Sequence, residues 1–321
     1  KYAQMFLRCA AYQGSTFRNA TLELVWKSHG MPMTIGDKPI LPLLMDMAVK
    51  DSFIEGCGAD KYRWVHDKVQ EAAFSLLENA EVSPFDIGRI LYYSLDPSQL
   101  EQDLFAVVDL INKGKTEKSA EFAQANLQAA QKALGLSAFQ SASRYSSHGI
   151  NLLKNTDWST ERQLKLNLYS VGAHSELVVG NVATAELYMD EVFERGDFTA
   201  LQTLSLTMTK VTAMTSTLRF NDAADCCLET LKDLDYKVTA SRRLVPLEML
   251  YALMKTIKKL KRVPMDFHKH IGVITHQKRK GIVALTASLN YVAYRAGDSK
   301  LSILAACKIV DMTLKYGLSE Y

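Results

Sequence analysis

Residues Phe53–Leu77 read FIEGCGADKYRWVHDKVQEAAFSLL, and the change of period inside this stretch decides the fold. Phe53-Ile54-Glu55 and Tyr62–Val65 carry aromatic and β-branched residues on either side of the turn signal Gly56-Cys57-Gly58-Ala59-Asp60, which predicts a β-hairpin. Immediately afterwards Val69, Ala72, Ala73, Leu76 and Leu77 recur at helical spacing and form one apolar stripe. Asp67 stands at the expected N-cap with Gln70 three residues on, the arrangement of a capping box. His66 sits at the junction of strand and helix, where neither element needs it.

Three helical patterns precede the hairpin, over residues 1–12, 19–29 and 41–51. Three helices followed by a small hairpin is the layout of a winged helix, so residues 1–80 are expected to form one, and the helix after the hairpin leads away from it. From residue 84 onward one helical pattern follows another. They include 84–95, 99–113, 117–134, 138–154, 160–180, 182–195, 198–218, 221–234, 242–260, 267–277, 281–296 and 298–316. No proline falls between Pro97 and Pro246, as suits a long helical region. Asn181-Val182-Ala183-Thr184-Ala185-Glu186 and Asn221-Asp222-Ala223-Ala224-Asp225 resemble two openings of one repeat helix, and their separation is near a repeat period. Ala120, Ala123, Ala125, Ala129, Ala130 and Ala133 allow close helix approach. The expected fold is therefore all-α: a short winged-helix domain with one small β-hairpin over 1–80, connecting helices over 81–116, and a tetratricopeptide-like α-solenoid over 117–321. An irregular helical bundle is the alternative for the last part.

The net charge of +3, from 38 basic and 35 acidic residues, is too small to drive nucleic-acid binding by the whole chain. An apolar content of 48% is that of a folded protein, yet no stretch approaches the roughly 20 uninterrupted apolar residues of a membrane span. Cys9, Cys57, Cys226, Cys227 and Cys307 form no CxxC pair, and reduced thiols in a cytoplasmic protein are the simplest reading. The first residues, KYAQMFLRCAAYQG, and the last, LSEY, read like the interior of a longer protein.

Motifs that carry chemistry fail on their own requirements. Gly114-Lys115-Thr116 resembles the end of a phosphate-binding loop, but Asp109 stands where the loop needs its first glycine, and LFAVVDLIN before it has a helical pattern. A helix-ending glycine and a threonine capping the next helix suffice. His268, His270 and His276 lack a carboxylate or cysteine nearby to complete a metal set. Residues 242–280 hold eleven Lys or Arg against Glu248 and Asp266, an excess that either faces an acidic partner or anionic surface or forms the wet side of helices. Met208 and Met214 are simplest as core fillers, and Trp158 as the anchor of an inter-helix turn. No catalytic residue and no metal ligand can be named.

Tyr62–Leu77 resembles the YRFxHDRVQQAAYSLI signature of very large multidomain signalling proteins, through Tyr62, Arg63, His66, Asp67, Val69, Gln70, Ala72, Ala73 and Ser75. Ile87–Leu91, Leu104–Gly114, Asp157-Trp158 and Leu314–Gly317 resemble later segments of the same family at correct spacing. In that family a kinase domain or other input precedes a STAND-class, AAA-type ATPase, a winged helix and a tetratricopeptide-like region, with a histidine kinase often beyond. The resemblance implies that Val65-His66-Asp67 corresponds to a Met-His-Asp nucleotide-sensing motif with valine in place of methionine. His66 would then reach the β-phosphate of ADP, and Asp67 would hold the local backbone; local packing of His66 with Asp67 as a simple cap is the alternative. It further implies ATP or ADP bound mainly by a domain outside this chain, none bound by this segment alone, and a regulatory, protein-interaction role coupled to kinase output. The partners expected are the neighbouring ATPase and kinase domains of the same polypeptide and an unidentified protein on the solenoid, with no nucleic acid. A helical-repeat scaffold without a nucleotide is the alternative function. DNA binding is weaker still, because 41–51 (LPLLMDMAVKD) has only Lys50 as a cation.

Overall fold

In the computed structural model of the chain, which describes residues 2–75, 83–114, 119–264 and 271–319, the architecture grows from short apolar repeats. Fifteen α-helices and five short strands are present among the described residues, so the protein is mostly helical. Its contacts divide it into two compact units, one of Lys1–Ser137 with Arg144–Asp157 and one of Ala138–Ser143 with Trp158–Tyr321.

The first unit begins with α1 (Tyr2–Tyr12), α2 (Asn19–Ser28) and α3 (Ile40–Lys50). Phe6, Cys9 and Ala10 of α1, and Leu22, Val25 and Trp26 of α2, recur at i, i+3 and i+4, and all are buried. The Trp26 indole N–H donates to the Pro32 carbonyl (2.9 Å), which satisfies the one polar atom of a fully buried ring. Between α1 and α2 lies β1 (Thr16–Arg18), and two-residue strands β2 (Thr34–Ile35) and β3 (Lys38–Pro39) turn on Gly36 at φ +59°.

The predicted hairpin exists as β4 (Ile54–Gly58) and β5 (Lys61–Trp64). Two points correct the expectation. Strand β4 continues through Gly58, with a bulge between Gly56 and Gly58, so the turn is tighter than Gly56–Asp60. The hairpin is also not alone: β1 pairs antiparallel with β5, giving a three-stranded sheet in the order β1-β5-β4, and β2 pairs with β3 elsewhere. Three- and two-residue strands are too short to show a period, and the pairing of β1 with β5 is long-range.

After the sheet come α4 (Asp67–Ser75), which packs on α1, and then α5 (Pro84–Ser94) and α6 (Pro97–Lys113), which pack closely together. Pro84 and Pro97 each sit at a first helical position, preceded by the caps Ser83 and Asp96. Asp96 accepts from the Ser98 and Gln99 amides (2.9 Å each), while Gln99 accepts back from the Asp96 amide (3.3 Å). Gly88 lets α5 approach α6: a Cβ there would stand 2.7 Å from the Ile111 nitrogen and 2.9 Å from Leu110 Cβ. In α7 (Ala120–Gly135), five of the six alanines expected to allow close approach, Ala123, Ala125, Ala129, Ala130 and Ala133, are fully buried, and Ala120 is half-buried. Asn126 of α7 and Asn112 of α6 exchange two amide hydrogen bonds (2.8 and 3.0 Å), the buried Asn126 also donating to the Phe122 carbonyl. The N-cap of α7 is Ser119; Thr116, the expected cap, lies outside the described residues.

Helix α8 (Phe139–Leu153) contributes to both units. In the second unit, α9 (Arg162–Val179) and α10 (Val182–Arg195) form a hairpin on Gly180 (φ +100°), and α11 (Leu204–Ser216) pairs with α12 (Phe220–Asp233). Next come a single 3-10 turn, Arg242–Leu244, and α13 (Val245–Leu260), then α14 (Gln277–Arg295) and α15 (Ser299–Tyr316), joined through Gly297 and the cap Asp298. Helix α14 packs on α12 and α15, and α13 packs on α15. The core of this unit is built from Ala223, Ala224, Cys227, Leu231, Leu285, Leu289, Val292 and Leu301, with Met208 and Met214 packed against it. Three helices differ from expectation by four residues or more, one being α14, which begins at Gln277 instead of 281. Helix α11 starts at Leu204 instead of 198, because Thr199 and Gln202 close a turn on one another and Phe198 packs on Trp158. Residues 271–276 are not helical: Ile274 donates to the Leu318 carbonyl (2.9 Å) and Leu318 to that of Gly272 (2.7 Å), an extended pairing that suits Val273, Ile274 and Thr275.

Replacing Gly88 by alanine should lower the stability of the first unit by about 1–3 kcal/mol, because the added methyl collides with α6 backbone. Urea unfolding followed by Trp26 and Trp64 fluorescence measures it, and an unchanged midpoint contradicts the close packing.

Candidate functional site

The residues around His66 are fixed from the sheet outward. Trp64 ends β5 almost fully buried, with its indole N–H on the Gly14 carbonyl (3.2 Å), its amide on the Ser15 carbonyl (3.2 Å) and its ring 6.2 Å from that of Phe17. The Val65 amide donates to the Phe53 carbonyl (3.1 Å), so the chain is held on both sides until it leaves the sheet. His66 follows outside both strand and helix, and its carbonyl accepts from the Val69 and Gln70 amides (3.0 and 3.3 Å). It is therefore His66 that closes the first turn of α4, and Asp67 is the first helical residue.

This departs from the capping box expected at Asp67. The Gln70 amide group donates instead to the Ala11 carbonyl at the end of α1 (3.4 Å), a contact between helices that sequence spacing does not reveal. Ala73 is buried and Val69 half-buried, while Ala72 is exposed; Leu76 and Leu77 lie outside the described residues. His66 and Asp67 are both exposed, and neither side chain has a hydrogen bond or ion pair among the described residues. Lys68 pairs with Glu71 on the open side of the helix (2.8 Å), and that hydrogen bond raises the lysine's pKa. The local arrangement is thus an imidazole standing free where the first amides of α4 have no helical partner, next to a carboxylate that favours a helix N-terminus.

Other residues singled out in the sequence form no site. Asp109 lies within α6 and Gly114 ends that helix, so no phosphate loop precedes Lys115. His276 directly precedes α14; His268 and His270 lie outside the described residues, and no metal-holding group of His, Cys, Asp or Glu occurs among those described. Burial pushes the Cys9 and Cys227 thiols up to about 12, which suits packing and not nucleophilic chemistry. Trp158 does anchor the turn before α9: it donates to Glu191 (3.2 Å) and packs on Tyr169 and Phe198, and the Lys165 ammonium lies 5.2 Å from its ring centre.

One cluster escaped the sequence altogether. Arg144 bonds Asp109 (3.1 Å), Tyr145 stacks on Phe105, and His148 lies on the same stretch of α8, its pKa lowered by burial and then by Arg144. The i, i+4 spacing of Arg144 and His148 was its one available signal, and Asp109 is too distant in the chain to have been linked to them.

No family model and no solved structure matches the chain. Over 203 aligned residues it is 25% identical to "Hybrid signal transduction histidine kinase G" of Dictyostelium discoideum. The alignment takes in 54% of this chain and 6% of that protein, so the chain spans a small fraction of the relative's length. The likeness is a distant link to signal transduction.

Because His148 is depressed in the folded state, the stability it contributes is fully present above its ordinary pKa of 6.5 and is lost as pH falls through the lower folded value. Thermal melts between pH 7 and pH 5 should show a decline that is smaller in His148→Asn; an identical decline in both proteins contradicts the assignment.

Proposed function

We propose that this chain is a regulatory and protein-interaction segment of a signalling kinase. In this reading residues 1–80 are the winged helix of a STAND-type ATPase module, 81–116 connect, and 117–321 are tetratricopeptide-like repeats. These limits follow the sequence pattern; by contacts, α5–α7 belong with α1–α4. Three helices and a sheet in the order β1-β5-β4 support the winged-helix reading. The successive pairs α9–α10, α11–α12 and α14–α15 support the repeat reading. The distant likeness to a signal-transduction histidine kinase supports the setting.

The observation that carries the nucleotide role is the free imidazole of His66 directly before α4. A helix N-terminus favours an anion, and an imidazole donor beside it adds a hydrogen bond to a phosphate oxygen. His66 reaches the β-phosphate of ADP held mainly by a neighbouring ATPase domain, and Asp67 holds the first turn of α4 in place. Contact with ADP stabilises a closed arrangement; partner binding on the repeats favours an open one, and kinase output follows the balance. Helix α3 is poorly suited to DNA, since it exposes Leu43, Met47 and Val49 and has Lys50 as its one cation. No helix among the described residues is long and apolar enough to cross a membrane.

In the full-length kinase, His66→Ala should weaken ADP retention by about tenfold or more and raise basal output, read by nucleotide content after purification and by phosphorylation rate. Unchanged retention and output would leave the helical-repeat scaffold without a nucleotide as the better reading. The chain of 321 residues by itself should show no ATP hydrolysis; clear turnover by the purified chain would overturn the assignment of the nucleotide to a neighbouring domain.

A further inference from the structure

Helix α13 turns its strongest apolar face outward. Val245 is its one fully buried residue, while Leu247, Leu250, Tyr251, Met254 and Ile257 are 69%, 51%, 66%, 58% and 46% exposed. Leu247, Leu250, Met254 and Ile257 recur at the alternating three- and four-residue spacing that one helix offers to another along a seam, and Tyr251 lies beside them. Scattered apolar side chains on a surface mean little, but a continuous stripe over three helical turns marks an interaction site. The opposite side of α13 already packs on α15, so the helix is apolar on two faces, as a helix sandwiched between neighbours would be.

Charge identifies the occupant. Five cations in and just beyond α13, Lys255, Lys258, Lys259, Lys261 and Arg262, stand against one carboxylate, Glu248. One Glu248 oxygen accepts from the Ala240 amide (3.0 Å) while the other is buried, and Lys259 pairs with Asp311, whereas Lys258, Lys261 and Arg262 have no ion pair among the described residues. Lys258 and Lys261 fall one heptad after Tyr251 and Met254, so they continue the apolar stripe instead of bordering it. A parallel second copy would bring these cations together across the seam and an antiparallel one would set them toward Arg242 and Arg243 just before α13, arrangements that like-charge repulsion disfavours. An anionic membrane would need cations along the edges of the apolar face, not within it. A helix carrying its own apolar stripe, with carboxylates beside and beyond it, satisfies both parts of the surface.

We propose that the outward face of α13 is a docking surface for an acidic amphipathic helix of a partner protein. The inference does not depend on the nucleotide reading of His66, which lies in the other unit.

The test uses the 321-residue chain and a fluorescent helical peptide of about four turns, with leucine on the seam and glutamate on both flanks. The control peptide has lysine in place of each glutamate. Fluorescence anisotropy should show the acidic peptide binding, more weakly as salt rises, and the lysine peptide binding at least about tenfold more weakly. Leu250→Glu with Met254→Glu should weaken the acidic peptide by about tenfold or more, and Lys258→Glu with Lys261→Glu should reverse the preference between peptides. All four side chains are exposed, and unchanged circular-dichroism melts verify that the variants fold. Equal binding of the two peptides, or insensitivity to both double variants, overturns the proposal. So does a concentration-dependent dimer in sedimentation that Leu250→Glu disperses. Preferential binding to phosphatidylcholine–phosphatidylserine vesicles mixed about 2:1, lost in the same variant, overturns it in favour of a membrane.

Discussion

The seating of Trp64 is the constraint on which the arrangement of the first unit depends. Its ring lies against Phe17, its indole N–H is satisfied by Gly14, and its amide bonds Ser15, so one residue ties β5 to the segment that leaves α1. An indole can be buried this deeply only if its N–H finds an acceptor, and the Gly14 carbonyl supplies one. The consequence reaches past the sheet. Since Trp64 fixes where β5 ends, it fixes where the chain turns to start α4, and His66 is held at that turn by its backbone while its side chain stays free.

Elsewhere the structure relies on close backbone approach. Gly88 admits α6 against α5, and the alanines of α7 leave room for neighbours without long side chains between them. Close contact makes the polar groups at such surfaces costly unless paired, and the reciprocal amide bonds of Asn112 and Asn126 meet that demand. Helix α13 behaves in the opposite way. It is attached through one face and leaves the other, rich in leucine and methionine, in contact with solvent. The two arrangements explain why the alanine-rich segment reads as interior and α13 as surface to be covered, although both are apolar.

Much of the helical order was legible because it rests on local chemistry. Pro84 and Pro97 start helices, Gly180 and Gly297 end them, and the hydrophobic period between such signals places α5–α10, α12, α14 and α15 close to where they occur. The misses have physical causes. Strand β1 is too short to display alternation and exists because β5 accepts it as a partner. The segment 271–276 reads as part of a helix over 267–277, but its backbone bonds go to Leu318, and a Cβ on the preceding Gly317 would meet the Gly272 carbonyl oxygen at 2.3 Å. At the candidate site the pattern located the strand-to-helix junction and its histidine, yet assigned Gln70 to a local cap when a carbonyl of α1 was available to it.

By itself, then, the sequence determined the periods: where helices run, where a hairpin interrupts them, which residues are apolar enough to be covered, and that a histidine stands at a helix start. These follow from side-chain chemistry and backbone preference within a few residues, which any chain carries with it. Tertiary structure decided the pairings. That β1 joins β5, that Gln70 reaches α1, that Asp109 meets Arg144, and that α13 shows its apolar face to solvent all depend on which distant segments come together. Each such contact closes a long loop of chain, and it persists only where the packing and hydrogen bonds gained outweigh the entropy of that closure.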